Sequence, residues 1–200
     1  MSKAKTATKR KNAGFDWKQI VHLSLTLFVI TAVAALVLSV VNTLTADTIA
    51  MRREAARQEA MACVMPGADV FSDLYSEDTA IERISGAYKG TQFVGYCVEV
   101  SPNGFGGAIS LMVGVNPNGK VTGVTVLEHG ETPGLGAKAE SSDFLDQYVG
   151  KSGRIVVGSD INAITGATIT SKAVTEGVNT AMTAVIHYNA GGGQDYEGDV

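Results

Sequence analysis

No Asp, Glu, Lys or Arg occurs between Gln19 and Ala46. The centre of that stretch, Leu25 to Val41, is almost wholly Leu, Val, Ile, Ala and Phe. As a helix, Ile20 to Leu44 rises roughly 37 Å at about 1.5 Å per residue, enough to cross a hydrocarbon core of about 30 Å with some tilt. A secretory signal has an apolar region of only about 7–15 residues. The length therefore argues for an uncleaved anchor over residues 19–46. Lys3, Lys5, Lys9, Arg10, Lys11 and Lys18 precede it and Asp47 follows it. By the positive-inside rule, residues 1–18 are expected in the cytoplasm and everything after about residue 46 outside it. A span whose one ionisable residue is the terminal His22 offers no relay for ions.

The formal net charge is −4. Residues 1–18 carry +5, which leaves −9 for the remainder. An acidic body repels phosphate polymers, so nucleic acid is excluded as the main partner. Cys63 and Cys97 lack metal-ligand spacing, and His22, His129 and His187 are scattered. No metal site is expected, and two buried thiols are the plain reading, although an oxidising compartment permits a disulfide.

Beyond the anchor, Thr48 to Met65 is rich in Ala, Glu, Arg, Gln and Met and stops at Pro66-Gly67, which reads as a stalk helix over 47–66. A domain over 67–188 follows. Gln92–Val100, Ala108–Val115 and Val121–Leu127 alternate with period two, and Asn118-Gly119 supplies the positive φ angles of a tight hairpin. These segments predict an antiparallel meander from about 92 to 128. Ser142 to Val149 is a candidate short helix capped by Ser141 or Ser142, and Arg154–Val157 a candidate strand. Val174, Val178, Met182 and Val185 fall at helical spacing, which predicts a last helix from about Ser171 to His187. The Gly-rich, acidic tail, 189–200, is expected to be disordered. The fold class is α+β: a transmembrane helix with its stalk, then an antiparallel sheet with flanking helices.

Two segments are candidates for chemistry. Between Asp160 and Lys172 there is no positive charge, yet Thr165, Thr168, Thr170 and Ser171 surround Gly166-Ala167 just before the last helix. Helix N-termini hold phosphate with backbone N–H groups and the helix dipole, without a lysine. The alternative is that Thr170 or Ser171 simply caps the helix. The second segment is Glu128 to Lys138, where Thr132-Pro133-Gly134-Leu135-Gly136 presents backbone amides and one apolar side chain. His129 and Glu131 are candidate acid–base groups, or solvated charges on a turn. No nucleophile elbow, Walker loop or Rossmann fingerprint is present.

Taken together, Glu131-Thr132-Pro133-Gly134-Leu135-Gly136 and Thr165-Gly166-Ala167-Thr168-Ile169-Thr170-Ser171 resemble the FMN-binding domain of two related membrane complexes. One is the ion-translocating ferredoxin:NAD oxidoreductase (Rnf) complex, through its G subunit. The other is the sodium-translocating NADH:quinone reductase, through its C subunit. The stalk ending Val64-Met65-Pro66-Gly67-Ala68 and the Gly-Gly-Ala-Ile segment at 106–109 fit too, and the short Gly-Leu-Gly-Ala-Lys string looks more like the Rnf protein. The resemblance implies FMN joined covalently through its phosphate to Thr168. A flavin transferase that uses FAD would attach it, recognising an acidic residue such as Asp160. Thr165, Gly166, Ala167 and Thr170 would shape that end of the site, with Thr132, Gly134, Leu135 and Gly136 beside the isoalloxazine. The implied role is an electron-transfer subunit in the membrane, partnered by the other Rnf subunits and turning over no free substrate. An anchored module that grips FMN without a covalent bond is a second class, and an anchored hydrolase using His129 and Glu131 a third.

Overall fold

A computed structural model describes residues 17–74 and 81–192. The basic segment 1–16 and the end of the tail, 193–200, lie outside the described residues. The chain divides into two compact units, Met1–Met51 and Arg52–Val200.

The described part of the first unit belongs to α1, Trp17–Val64, one unbroken helix of 48 residues. The anchor and the expected stalk are therefore a single element. Its apolar residues up to Met51 are exposed, as suits a helix long and apolar enough to cross a membrane. Thr26, Thr31, Thr43 and Thr45 turn their hydroxyls back onto carbonyls one turn earlier, which satisfies these polar groups without a partner helix.

The second unit begins with the last turns of α1 and a five-stranded meander. Its strands are β1 (Val70–Leu74), β2 (Ile81–Lys89), β3 (Gln92–Val100), β4 (Ile109–Val115) and β5 (Val121–His129). They lie in sequence order and pair antiparallel throughout. The predicted meander is the β3–β5 half. β1 and β2 escape a period-two reading because β1 is short and β2 carries two register irregularities, at Ile81/Arg83 and Ala87/Tyr88. The hairpin between β4 and β5 differs in detail. Only Gly119 takes a positive φ, at +75°, and the turn is closed by the Asn116 side chain, whose Oδ1 accepts from the amides of Asn118 and Lys120 at 3.0 Å each.

The sheet buries both faces. Tyr96, Val98 and Val100 of β3, with Leu111, Val113 and Val115 of β4, join one core together with α3, Thr168–His187. Val174, Val178, Met182 and Val185 form the buried stripe of α3, as their spacing predicts. Cys97 and Met112, facing the other way, join Ala60, Met61 and Val64 of α1 in a second, smaller core. The stalk is thus an integral layer of the domain at its end. Val64 seats directly over paired Gly114 and Gly123: a Cβ on Gly114 would lie 2.4 Å from the Val64 carbonyl oxygen, and one on Gly123 2.8 Å from Val64 Cα. Thr122 donates its hydroxyl to that same carbonyl at 2.7 Å, which satisfies one of the open acceptors of the helix end.

Arg57 pins the helix about two turns earlier. Its Nη2 donates to Asp73 at 2.6 Å and Ser85 at 2.7 Å, and its Nε lies 3.4 Å from Glu99 without a hydrogen bond. Burial works against its charge, but the Asp73 hydrogen bond and the neighbouring carboxylates outweigh it and hold the guanidinium pKa above its usual value. The thiols differ from expectation: both are free, but only Cys97 is buried and Cys63 is exposed.

Between β5 and α3 the chain makes short turns. α2 spans only Ser142–Leu145 and continues as a 3-10 turn to Tyr148. Ser141 occupies its N-cap position without capping it, donating instead to the Lys138 carbonyl at 2.7 Å. Arg154–Val157 is not a strand; its one ladder contact is a bridge from Val157 to Ile161. Past α3, Tyr188–Gly192 form a π-helical turn, where composition predicts the start of a disordered tail.

Candidate functional site

Two turns of the same kind meet at the first turn of α3. In Thr132-Pro133-Gly134-Leu135, the amide of Leu135 donates to the Thr132 carbonyl at 3.2 Å, and Gly134 takes φ +78°. In Ile164-Thr165-Gly166-Ala167, the amide of Ala167 donates to Ile164 at 3.0 Å, and Gly166 takes φ +82°. Such turns require positive φ at the third residue, which only glycine adopts cheaply. The turns touch: a Cβ on Gly166 would sit 3.2 Å from Leu135 Cδ2.

Between them lies a pocket of about 380 Å³. It is lined by Thr132, Leu135 and Gly136 from one segment and by Gly166, Ala167, Thr168 and Thr170 from the other. Seven of the nine residues expected at the site therefore share one cavity. Thr165 and Gly134 shape the turns without lining it. Phe105, Glu131 and Ile169 complete the walls. Phe105 sits in a glycine-rich loop with no regular periodicity, so the one signal for it was the Gly-Gly-Ala-Ile string that follows. A larger groove of about 770 Å³ runs along the outer face of α3 beside Gly153–Val157 and contains none of the expected residues.

α3 starts three residues earlier than predicted. Ala167 is its N-cap and makes no side-chain cap bond. Neither Thr170 nor Ser171 is a cap. Thr170 is 1% exposed and donates its hydroxyl to Glu131 at 2.7 Å. Ser171 donates to the Ala167 carbonyl and accepts from the Ile164 amide, each at 2.9 Å. Thr168, the first helical residue, is exposed, and its hydroxyl has no hydrogen bond among the described residues. The amides of an uncapped first turn stay open to an anion at its side. Asp160 lies in the preceding turn, where it accepts from the Val156 amide at 2.9 Å.

His129 and Glu131 are both engaged. The Glu131 amide donates to His129 Nδ1 at 3.0 Å, so the neutral ring carries its proton on Nε2, against Glu140. Glu131 as a residue is 6% exposed, and its carboxylate accepts from the amides of Phe105 at 2.7 Å and Gly106 at 3.0 Å, besides Thr170. Burial raises its pKa, but the Gly106 amide, the Thr170 hydroxyl and the Phe105 amide together hold it below the usual carboxylate value. Neither residue is placed as a free acid–base pair. Among the described residues, no His, Cys, Asp and Glu cluster could hold a metal.

An apolar cleft beside an open helix N-terminus with a free threonine suits a ring system bearing a phosphate, and the chain's relatives agree. Residues 104–183, which include both turns, match the FMN-binding domain family. Residues 8–64 match the N-terminal region of RnfG. The G subunit of the Na(+)-translocating ferredoxin:NAD(+) oxidoreductase complex of Acetobacterium woodii is 39% identical across 88% of this chain and 95% of its own length. Its proton-translocating counterpart from Clostridium ljungdahlii is 32% identical across 88% and 97%. The chain belongs to the family of G subunits of the ion-translocating Rnf oxidoreductase complexes. Among solved structures, Shewanella oneidensis NqrC aligns over 65% of this chain and 73% of its own, at 21% identity and a TM-score of 0.46.

Proposed function

We propose that this subunit carries FMN bonded through its phosphate to Thr168 Oγ1, and that the flavin relays electrons between cofactors of neighbouring subunits of a membrane-bound ferredoxin:NAD oxidoreductase. The observation that carries the reading is the state of the three hydroxyls opening α3. Thr170 and Ser171 are committed to internal hydrogen bonds, while Thr168 is exposed, unbonded and at the mouth of the pocket. The pocket fits the group. Leu135, Ala167, Ile169 and Phe105 supply apolar walls for a flat ring, and Gly166 leaves space that a side chain would take from Leu135.

Attachment is a phosphoryl transfer performed by a flavin transferase, which exchanges a phosphoanhydride bond for a phosphoester. The Thr168 Oγ1–P bond forms, the pyrophosphate of FAD breaks, AMP leaves, and the hydroxyl proton passes to a base of the transferase. The phosphodiester keeps one negative charge, which the first turn of α3 stabilises. The flavin supplies the redox chemistry, and the chain supplies position and electrostatics. A covalent link prevents loss of flavin outside the cytoplasm, where the positive-inside pattern of residues 1–18 directs the domain.

The test is co-expression with a flavin transferase, followed by a denaturing gel viewed under ultraviolet light. A fluorescent band that goes dark in Thr168→Ala, with the FMN-phosphoryl group on the Thr168 peptide by mass spectrometry, is expected. A dark wild-type band refutes covalent carriage. Flavin that copurifies but leaves on denaturation favours an anchored, non-covalent FMN module.

A further inference from the structure

We propose that Glu131 is the positioning residue of the flavin site, its one carboxylate tying the first turn of α3 to the Phe105 loop across the pocket. This rests on the FMN reading above. The three segments lining the pocket are far apart in sequence; the Phe105 loop and the Glu131 segment leave the paired ends of β4 and β5 at Ile109 and His129, while the first turn of α3 shares no strand pairing with either. They converge on this side chain. Oε1 takes the amides of Phe105 and Gly106, Oε2 takes the Thr170 hydroxyl, and the Glu131 backbone itself opens the Thr-Pro-Gly turn. The surrounding chain makes room for it. A Cβ on Gly104 would lie 2.2 Å from Oε1, and one on Gly136 2.3 Å from Oε2. Neither glycine has the positive φ that would otherwise account for it.

Two consequences separate this role from ordinary packing. Thr170 is two residues from Thr168, so the bond that holds Thr170 inward sets which hydroxyl of the first turn faces the pocket. The carboxylate is also buried at the pocket wall with no Lys or Arg paired to it among the described residues. Its charge therefore bears on the ring, and a nearby negative charge makes a flavin harder to reduce. Glu131→Gln preserves shape and an acceptor for the amides while removing the charge. Glu131→Asp keeps the charge but is one methylene too short to reach both Thr170 and the amides.

The experiment uses the full chain in detergent, co-expressed with a flavin transferase. For each variant it records the thermal melt, the fraction of Thr168 carrying flavin by mass, and the flavin midpoint potential by spectroelectrochemical titration. The midpoint is expected to rise in Glu131→Gln. Attachment at Thr168 is expected to fall about tenfold or more in Glu131→Asp and Thr170→Val, from misplacement of the reacting hydroxyl, and to return in Thr170→Ser. Wild-type attachment in Glu131→Asp and Thr170→Val, with an unmoved midpoint in Glu131→Gln, overturns the inference and leaves the covalent FMN reading standing. If the Glu131 variants do not fold, the Thr170→Val and Thr170→Ser pair decides by attachment alone. If wild type takes no flavin under these conditions, the FMN reading fails and this inference with it.

Discussion

Gly114→Ala tests whether the end of α1 is built into the domain or merely tethered to it. The new methyl would sit 2.4 Å from both the Val64 carbonyl oxygen and Thr122 Oγ1. The carbonyl is backbone and cannot rotate away, so the helix end must lift or the strand must bow. Overpacking of this kind costs about 1–3 kcal/mol. The Thr122–Val64 hydrogen bond, 2.7 Å long, occupies the same space and is worth about 1 kcal/mol more. The sum, about 2–4 kcal/mol, lowers the melting temperature of a domain this size by about 5–15 °C. Near-UV circular dichroism of the full chain in detergent reads this, because tyrosine packing belongs to the domain. Gly119 supplies the contrast. It has φ +75° and nothing within 4 Å of its Cβ position, so substitution there incurs only backbone strain. Asn tolerates that conformation better than Ala. Gly119→Asn should therefore melt above Gly119→Ala, whereas Gly114→Asn should melt below Gly114→Ala. A Gly114→Ala protein with the wild-type melting temperature refutes the seating of Val64 on the sheet.

Arg57→Met removes the cation shared by Asp73 and Glu99 and should destabilise by about 2–3 kcal/mol in urea titration, less than a fully buried pair because Asp73 is half exposed. Glu131 titrates lower in the folded chain than in the unfolded one, so its stabilising contribution is complete above the ordinary carboxylate range and is lost as pH falls below it; the acid limb of a melting-temperature profile should flatten in Glu131→Gln. Cys63 is exposed and should react with maleimide in the native protein. Cys97 is buried, and desolvation pushes its thiol up to about 12, so it should react only on unfolding, as electrophoretic mass shift after a timed quench can show.

Local signals explain what was legible in the sequence. The helix long and apolar enough to cross a membrane follows from composition alone, because its charge-free stretch is legible without any tertiary contact. β3, β4, β5 and the buried stripe of α3 follow from periodicity. The first α3 residue did not, since Thr168-Ile169-Thr170 is β-branched and disfavours helix; the Glu131 bond to Thr170 and the packing below override that preference. β2 did not either, because its bulges break the alternation. Cys63 and Cys97 looked alike in the chain and differ only by which side of α1 or β3 each one faces.

The sequence alone therefore determined the long apolar helix, the class of fold, the family and the two segments that line the pocket, all of which rest on contiguous residues. Tertiary structure decided how those segments meet. Loop residues, Thr132 to Gly136 and Thr165 to Thr168, carry no pattern that states their distance; that distance is set by the sheet and α3 beneath them. It also decided the part played by Glu131. A charged residue in a polar loop reads as solvated until the fold buries it, and three donors from distant segments then make its burial favourable.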